Sequence, residues 1–312
     1  MDYSGVKEIW REVKTHLDMV VMDMDATKEE MFTALISMGH ILLEGPPGIA
    51  KTTLAKSFAS LLNLKFSRIQ FTPDLLPADI IGTKIFNQKK GEFETRLGPI
   101  YANIILADEI NRASPKTQSA LLEAMQERQI TIEGEIYKIP EPFMVIATQN
   151  PIEIEGTYPL PIAQLDRFMF KSVVDYPKRD EYVKIMDIYG GYTAPKLENI
   201  VDSSQILEMN RMLDNIIVSD DIKEYIANII EEISNDDRVR WGISPRAAIH
   251  LVKASKAYAM MNGRDYVAPE DVKRMVYPTL NHRLILSTEA MFKGVSEFEI
   301  IDSALRKVKV PI

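Results

Sequence analysis

The 312-residue sequence predicts an α/β domain, with a parallel sheet between helices, followed by a smaller all-helical domain. Three observations predict it. A Gly- and Pro-rich loop, Gly45-Pro46-Pro47-Gly48-Ile49-Ala50-Lys51-Thr52, separates the apolar run 40–43 from a helical pattern over 52–62. A second apolar run, 103–107, ends in two acids, Asp108 and Glu109. After Pro177 the strand signals become scarce and helical periods take over. Strands alternating with helices pair in parallel through crossover connections. The boundary is therefore expected near Pro177, with residues 1–177 in the first domain and 178–312 in the second.

The first 38 residues read as helical. Thr27-Lys-Glu-Glu30 fits a capping box, in which hydroxyl and carboxylate each satisfy an orphan N–H. The helix it opens carries Met31, Phe32, Leu35 and Ile36 on one stripe, and Gly39 is expected to end it. Residues 65–71 read as the next strand. Residues 72–100 are irregular, with pieces 83–86 and 92–96 able to form a hairpin. Ser114-Pro115 opens a helix to about Glu127, with Ser as N-cap and Pro in the first turn. Two alternating segments around Gly134 predict a second hairpin over 129–139. Residues 143–148 and 168–175 complete the strands. Helical periods follow over 179–189, 203–216, 219–234, 244–262, 268–276 and 295–309.

Composition narrows the function. Thirty-seven basic against 45 acidic residues leave a net charge of −8, a poor balance for a protein that coats a phosphate backbone. There are no cysteines, which excludes disulfides and Cys-ligated zinc. His16, His40, His250 and His282 show no ligand spacing. The N-terminus lacks a basic region followed by an apolar run, and no stretch approaches a membrane span, so the cytoplasm is the expected place.

The chemistry concentrates in three places. A turn rich in Gly and Pro lets successive N–H groups point inward at phosphate oxygens, and the helix that follows adds its positive end. Gly45 to Thr53 would form that cradle, with Lys51 on the β/γ phosphates and the Thr52 hydroxyl on Mg²⁺. Ala50 stands where Gly is usual before the lysine; it costs little if its φ is negative. Asp108 is expected to join Thr52 at the metal, and Glu109 to polarise the attacking water. Acids often end strands; the loop upstream is what makes this pair informative. Asn150 ends another strand, where a neutral amide could bond the water or the γ-phosphate. Asn150-Pro151 equally suits a plain turn. Spacing alone does not assign Arg167 or Arg246.

The chain resembles the MoxR family of AAA+ ATPases. The likeness is carried by 43–52, by the run Asp108-Glu-Ile-Asn-Arg-Ala-Ser-Pro-Lys-Thr-Gln-Ser-Ala-Leu-Leu-Glu-Ala-Met-Gln-Glu127, and by Ala147-Thr-Gln-Asn-Pro151. Glu155-Gly-Thr-Tyr-Pro-Leu-Pro161, Gln164-Leu-Asp-Arg-Phe168, Ser244-Pro-Arg-Ala247 and 263–272 continue it in family order. The resemblance implies a P-loop AAA+ core and an all-α lid, binding ATP and Mg²⁺. It implies that Asn150 is sensor 1, Arg167 an arginine finger completing a neighbour's site, and Arg246 sensor 2. It makes 72–100 a helix-2 insertion and 129–139 a pre-sensor-1 hairpin. It further implies a ring, often hexameric, with chaperone-like action on protein clients and von Willebrand A domain partners. Ile162 departs from the Glu common at its position, and His282-Arg283 echoes a recurring pair whose role spacing does not explain. Two other readings stay open. One is a nucleic-acid motor, disfavoured by Glu92, Glu94, Glu133 and Glu135 against few lysines (Lys89, Lys90, Lys138) in the hairpins. The other is a nucleotide switch or scaffold without turnover.

Overall fold

The computed structural model describes residues 1–151, 156–179, 182, 183, 186 and 197–311. Two helices come first, α1 (Tyr3–Asp18) and α2 (Asp25–Ile36). Then β1 (Ile41–Glu44), α3 (Lys51–Leu61), β2 (Phe66–Gln70), α4 (Pro77–Ile81), β3 (Gly82–Asn87) and β4 (Glu92–Leu97) follow. Next come β5 (Ile104–Asp108), α5 (Pro115–Glu127), β6 (Gln129–Ile132), β7 (Glu135–Lys138), β8 (Met144–Gln149), α6 (Ile162–Leu165) and β9 (Phe170–Val173).

Five strands form one parallel sheet in the order β2-β5-β8-β1-β9. In its three central strands the runs 41–43, 104–107 and 144–147 are apolar without a break because both faces are covered, and the two-residue period sorts their side chains. Ile41, Leu43, Ile104, Leu106, Met144 and Ile146 face one core, with α1, α2 and α3. Leu42, Ile105, Ala107, Val145 and Ala147 face the other, with α5. The strand ends therefore emerge side by side at one edge, carrying Glu44, Asp108 and Gln149. The irregular stretch resolves into α4 and the β3–β4 hairpin, and β6–β7 forms the second hairpin.

The second half contains α7 (Ser203–Met212), α8 (Asp220–Ser234), β10 (Val239–Trp241), α9 (Pro245–Met261), α10 (Pro269–Leu280), β11 (Ile285–Leu286), α11 (Thr288–Phe292) and α12 (Glu297–Lys307). Ser219 and Ser244, the first residues of the expected helical periods 219–234 and 244–262, cap α8 and α9, each accepting from an N–H three residues on. The small antiparallel pair β10–β11 was not expected, being two to three residues long on each side. The expected helix over 179–189 lies largely outside the described residues.

The N-terminal helices do not belong to one half alone. α1 packs on α3 and on α9, and α2 packs on β9, α7 and α9. Val13, Phe32, Phe58, Ile229, Leu251 and Met275 share one buried cluster. Arg274 of α10 adds an ion pair to Glu29 at 2.7 Å.

Three local expectations are corrected. Thr27 does not cap α2. Asp23 and Met24 take left-handed φ of 58° and 61°, so the helix starts at Asp25, and the buried Thr27 hydroxyl meets Ser172 Oγ at 2.9 Å. Gly39 does not make the α2 stop; Met38 takes the positive φ (54°), and Gly39 N–H returns to Ala34 O at 2.7 Å. Glycine is needed at 39 for a different reason, since a Cβ there would lie 2.6 Å from Met169 Sδ. Ala50 has φ 59°, not the negative value that would make it a neutral replacement for Gly.

Candidate active site

The loop after β1 is shaped by what glycine permits. A Cβ on Gly45 would lie 2.2 Å from Val174 O, so that position is closed to any side chain. Gly48 takes φ 80°, and the space beside it is open, which leaves its backbone accessible to a ligand. Ala50 then turns the chain into α3, whose first residue is Lys51.

Lys51 is buried, and its Nζ donates to Gly45 O at 2.6 Å. Burial pushes its ammonium below the ordinary lysine range, while Asp108, Glu109 and Glu44 pull it back. One turn of chemistry away, Thr52 Oγ1 stands 3.4 Å from Asp108 Oδ2. The oxygen pair suits a hard cation such as Mg²⁺, which takes few protein ligands. Asp108 is 8% exposed and well tied. Its Oδ1 accepts from Thr148 Oγ1 at 2.6 Å, and Oδ2 accepts from Arg68 Nη2 at 2.7 Å and Nε at 3.1 Å.

Glu109 sits at φ 56°, a left-handed conformation that ends the strand after Asp108. Its N–H donates to Thr148 Oγ1 at 2.8 Å, and Oε2 accepts from Gln70 Nε2 at 2.8 Å, with Arg112 Nε 3.4 Å away. Pro47, Gly48, Ala50, Lys51, Thr52, Thr53, Asp108, Glu109, Thr148 and Asn150 line one cavity of about 350 Å³. Asn150 is buried in its wall. The expected loop, acid pair and strand-end amide therefore converge on one space.

Arg167 and Arg246 do not line that cavity. They meet in another of about 210 Å³, with Arg128, Lys253 and His250. Arg167 follows α6, and its Nη1 donates to Leu122 O at 3.0 Å. Its Nε is buried with no hydrogen-bond partner among the described residues. Arg246, in the first turn of α9, pairs with Asp166 at 3.3 Å. Burial and the neighbouring Arg283 push His250 down to about 3, so four formal cations surround a neutral imidazole.

Sequence reasoning missed Arg68, Gln70 and Thr148. Arg68 and Gln70 flank the buried Ile69 on β2, and Gln70 pairs in register with Asp108 on β5. That strand pairing is what delivers both to the acid pair, and a single sequence does not show it. Thr148 was visible as the one polar residue in the run 143–148, which was a usable signal.

Known proteins resemble this chain over nearly its whole length. Residues 40–170 match the profile described as the ATPase family associated with various cellular activities (AAA), and residues 231–304 match the AAA lid domain. Chaperone MoxR1 of Mycobacterium tuberculosis is 44% identical over 94% of this chain and 80% of its own length. An uncharacterised Bacillus subtilis protein, YeaC, is 44% identical over 95% of this chain and 93% of its own. A crystal structure of a presumed ATPase from Cytophaga hutchinsonii superposes with a TM-score of 0.93 at 41% identity, covering 99% of this chain and 97% of that one. With an AAA core, an AAA lid and relatives of this extent, the chain belongs to the MoxR family of AAA+ ATPases.

Proposed function

We propose that the chain is a Mg²⁺-dependent ATPase that assembles into a ring, probed most simply as a hexamer, and remodels protein complexes in the cytoplasm. The observation that carries this is the single cavity holding Lys51, Thr52, Asp108, Glu109 and Asn150. The amides of Gly45 to Thr53 and the Lys51 ammonium would hold the triphosphate, near the N-terminus of α3. Thr52 and Asp108 fit Mg²⁺, which when bound neutralises charge on the β and γ phosphates. Glu109 would accept the proton of the attacking water, and Asn150 would orient that water. The AAA core and lid are read as two units joined near Pro177, with α1 and α2 bridging them.

Four cations around the second cavity favour a polyanion, and the chain's own P-loop lies elsewhere. Arg167 and Arg246 are therefore read as acting together on a neighbouring subunit's γ-phosphate. Arg246, implied by the resemblance to be sensor 2, is thereby read together with the finger. Such a finger is typically worth about 10³–10⁵ in rate.

A protein client fits the hairpins better than a nucleic acid. Phe86 and Phe93 pack edge to face and stay exposed, as does Ile136, among Glu92, Glu94, Glu133 and Glu135. Apolar groups beside acids suit a polypeptide and repel a phosphate backbone. A von Willebrand A domain protein is the expected partner class.

The test is the Glu109→Gln chain. It should bind ATP, stop turning it over, and accumulate as an assembled ring that retains protein partners. Hydrolysis at the wild-type rate would remove Glu109 from the mechanism. Stimulation of the wild type by DNA or RNA would move the reading to a nucleic-acid motor, and binding without turnover in the assembled wild type would make it a switch.

A further inference from the structure

Asn281, His282 and Arg283, the three residues after α10, all bond to the segment 166–171. Asn281 Nδ2 donates to Lys171 O at 2.9 Å, and His282 Nε2 donates to Phe168 O at 3.1 Å. Arg283 does most. Its side chain is 3% exposed. Nε donates to Asp166 Oδ1 at 2.7 Å, and the two N–H groups of Nη2 are shared among Phe168 O at 2.7 Å, His250 Nδ1 at 2.7 Å and Asp166 O at 3.0 Å. Nη1 donates to Met169 O at 3.2 Å and to Thr279 O in the last turn of α10. A planar fork with five N–H groups can hold such a set of carbonyls; an ammonium cannot.

Asp166 closes the arrangement from the other side. Its Oδ1 also accepts from Ser244 Oγ at 3.1 Å, and its Oδ2 pairs with Arg246 at 3.3 Å. The backbone on both sides of Arg167 is thus gripped by the helical half, at 166, 168, 169 and 171. Among the described residues, the Arg167 side chain has one carbonyl partner, Leu122 O on α5. The place from which its side chain leaves the backbone is set by its flanks, and its flanks are held by Arg283 and Asp166.

We propose that Arg283 and Asp166 are positioning residues for Arg167: they tie the finger to the helical lid, so that the finger follows the lid and presents itself, with Arg246, to the next subunit. This rests on the reading of Arg167 as a finger acting in trans. It gives His282-Arg283 the role that sequence spacing did not.

The experiment uses full-length chains and subunit mixing. Asp166→Asn and Arg283→Lys are each assayed alone and mixed with Lys51→Ala, beside an Arg167→Ala plus Lys51→Ala control. Alone, each variant should lose at least about tenfold in kcat while keeping its affinity for a fluorescent ATP analogue. Mixed with Lys51→Ala, each should regain activity, because a sound P-loop then meets a sound finger across some interfaces. Recovery in the control but not in the two variants overturns the positioning role and leaves the finger standing. No recovery in the control overturns the finger and this inference with it. Loss of analogue binding by Asp166→Asn would show a general structural defect and also overturn the role. Should Arg283→Lys fail to fold, Asp166→Asn decides alone, since an isosteric amide leaves the carbonyl partners of Arg283 in place.

Discussion

Thr148 donates its hydroxyl to Asp108 Oδ1 at 2.6 Å while the same oxygen accepts the Glu109 N–H at 2.8 Å. One buried hydroxyl thus fixes the carboxylate of the first acid and the backbone of the second. Thr148→Val keeps the shape and removes both bonds. A hydrogen bond to a charged group is worth about 1.5–3 kcal/mol. The expected result is a kcat lowered about tenfold or more, with KM for ATP nearly unchanged. Steady-state kinetics decide it, and an unaltered kcat would show that Asp108 needs no such anchor.

Ala50 bears a strain that a smaller residue relieves. A non-glycine residue in the left-handed region costs about 1–2 kcal/mol. Ala50→Gly should stabilise the chain by roughly 1 kcal/mol, a rise in Tm of about 2 °C for a protein of this size. Calorimetry without nucleotide measures it, and a lower Tm would mean that the turn tolerates alanine at no cost.

Gly45 and Gly48 separate clash from strain. Gly45→Ala drives a methyl into Val174 O, a backbone atom that has no rotamer to escape through. It should cost about 3 kcal/mol and abolish ATP binding. Gly48→Ala meets open space and carries only its φ penalty, about 1 kcal/mol. Thermal melts with nucleotide titration should rank them in that order, and equal losses would contradict it.

His40 makes stability depend on pH. It is buried, its Nδ1 accepts from Val145 N–H at 2.9 Å, and its Nε2 lies 3.2 Å from Met125 O. Burial lowers its pKa to about 4. The unfolded chain therefore binds more protons between pH 4 and 6.5, and stability is lost as pH falls through that window. The loss approaches about 3 kcal/mol near pH 4. Glu30 works the other way, since burial raises it to about 7 and stability falls as pH rises from 4.5. The wild-type profile should be shallow where the two overlap. Relative to wild type, His40→Gln should gain stability steadily from pH 6.5 to 4.5; a constant difference would show that His40 does not titrate.

The strands and the phosphate loop were legible because their signals are local. The run 103–107 is apolar over its length and ends in acids, and 45–52 contains its own turn residues. Ser114, Ser219 and Ser244 announced their helices by the same local chemistry. What escaped depends on contacts far apart in the chain. Arg68 reaches Asp108 only because β2 lies beside β5. Thr27 gave a sound capping pattern, but a bond to Ser172, 145 residues away, claims its hydroxyl. Arg246 sits with Arg167 because α9 docks against Asp166, and no spacing between residues 166 and 246 shows that.

α1 lies against α3 on one side and α9 on the other, α2 lies against β9, α7 and α9, and their buried residues belong to one apolar cluster. The helical half consequently cannot swing like a door on a bare hinge. Any rotation has to slide packed side chains over α1 and α2 or carry those helices along, which makes these two helices the bearing between the sheet and the helical half.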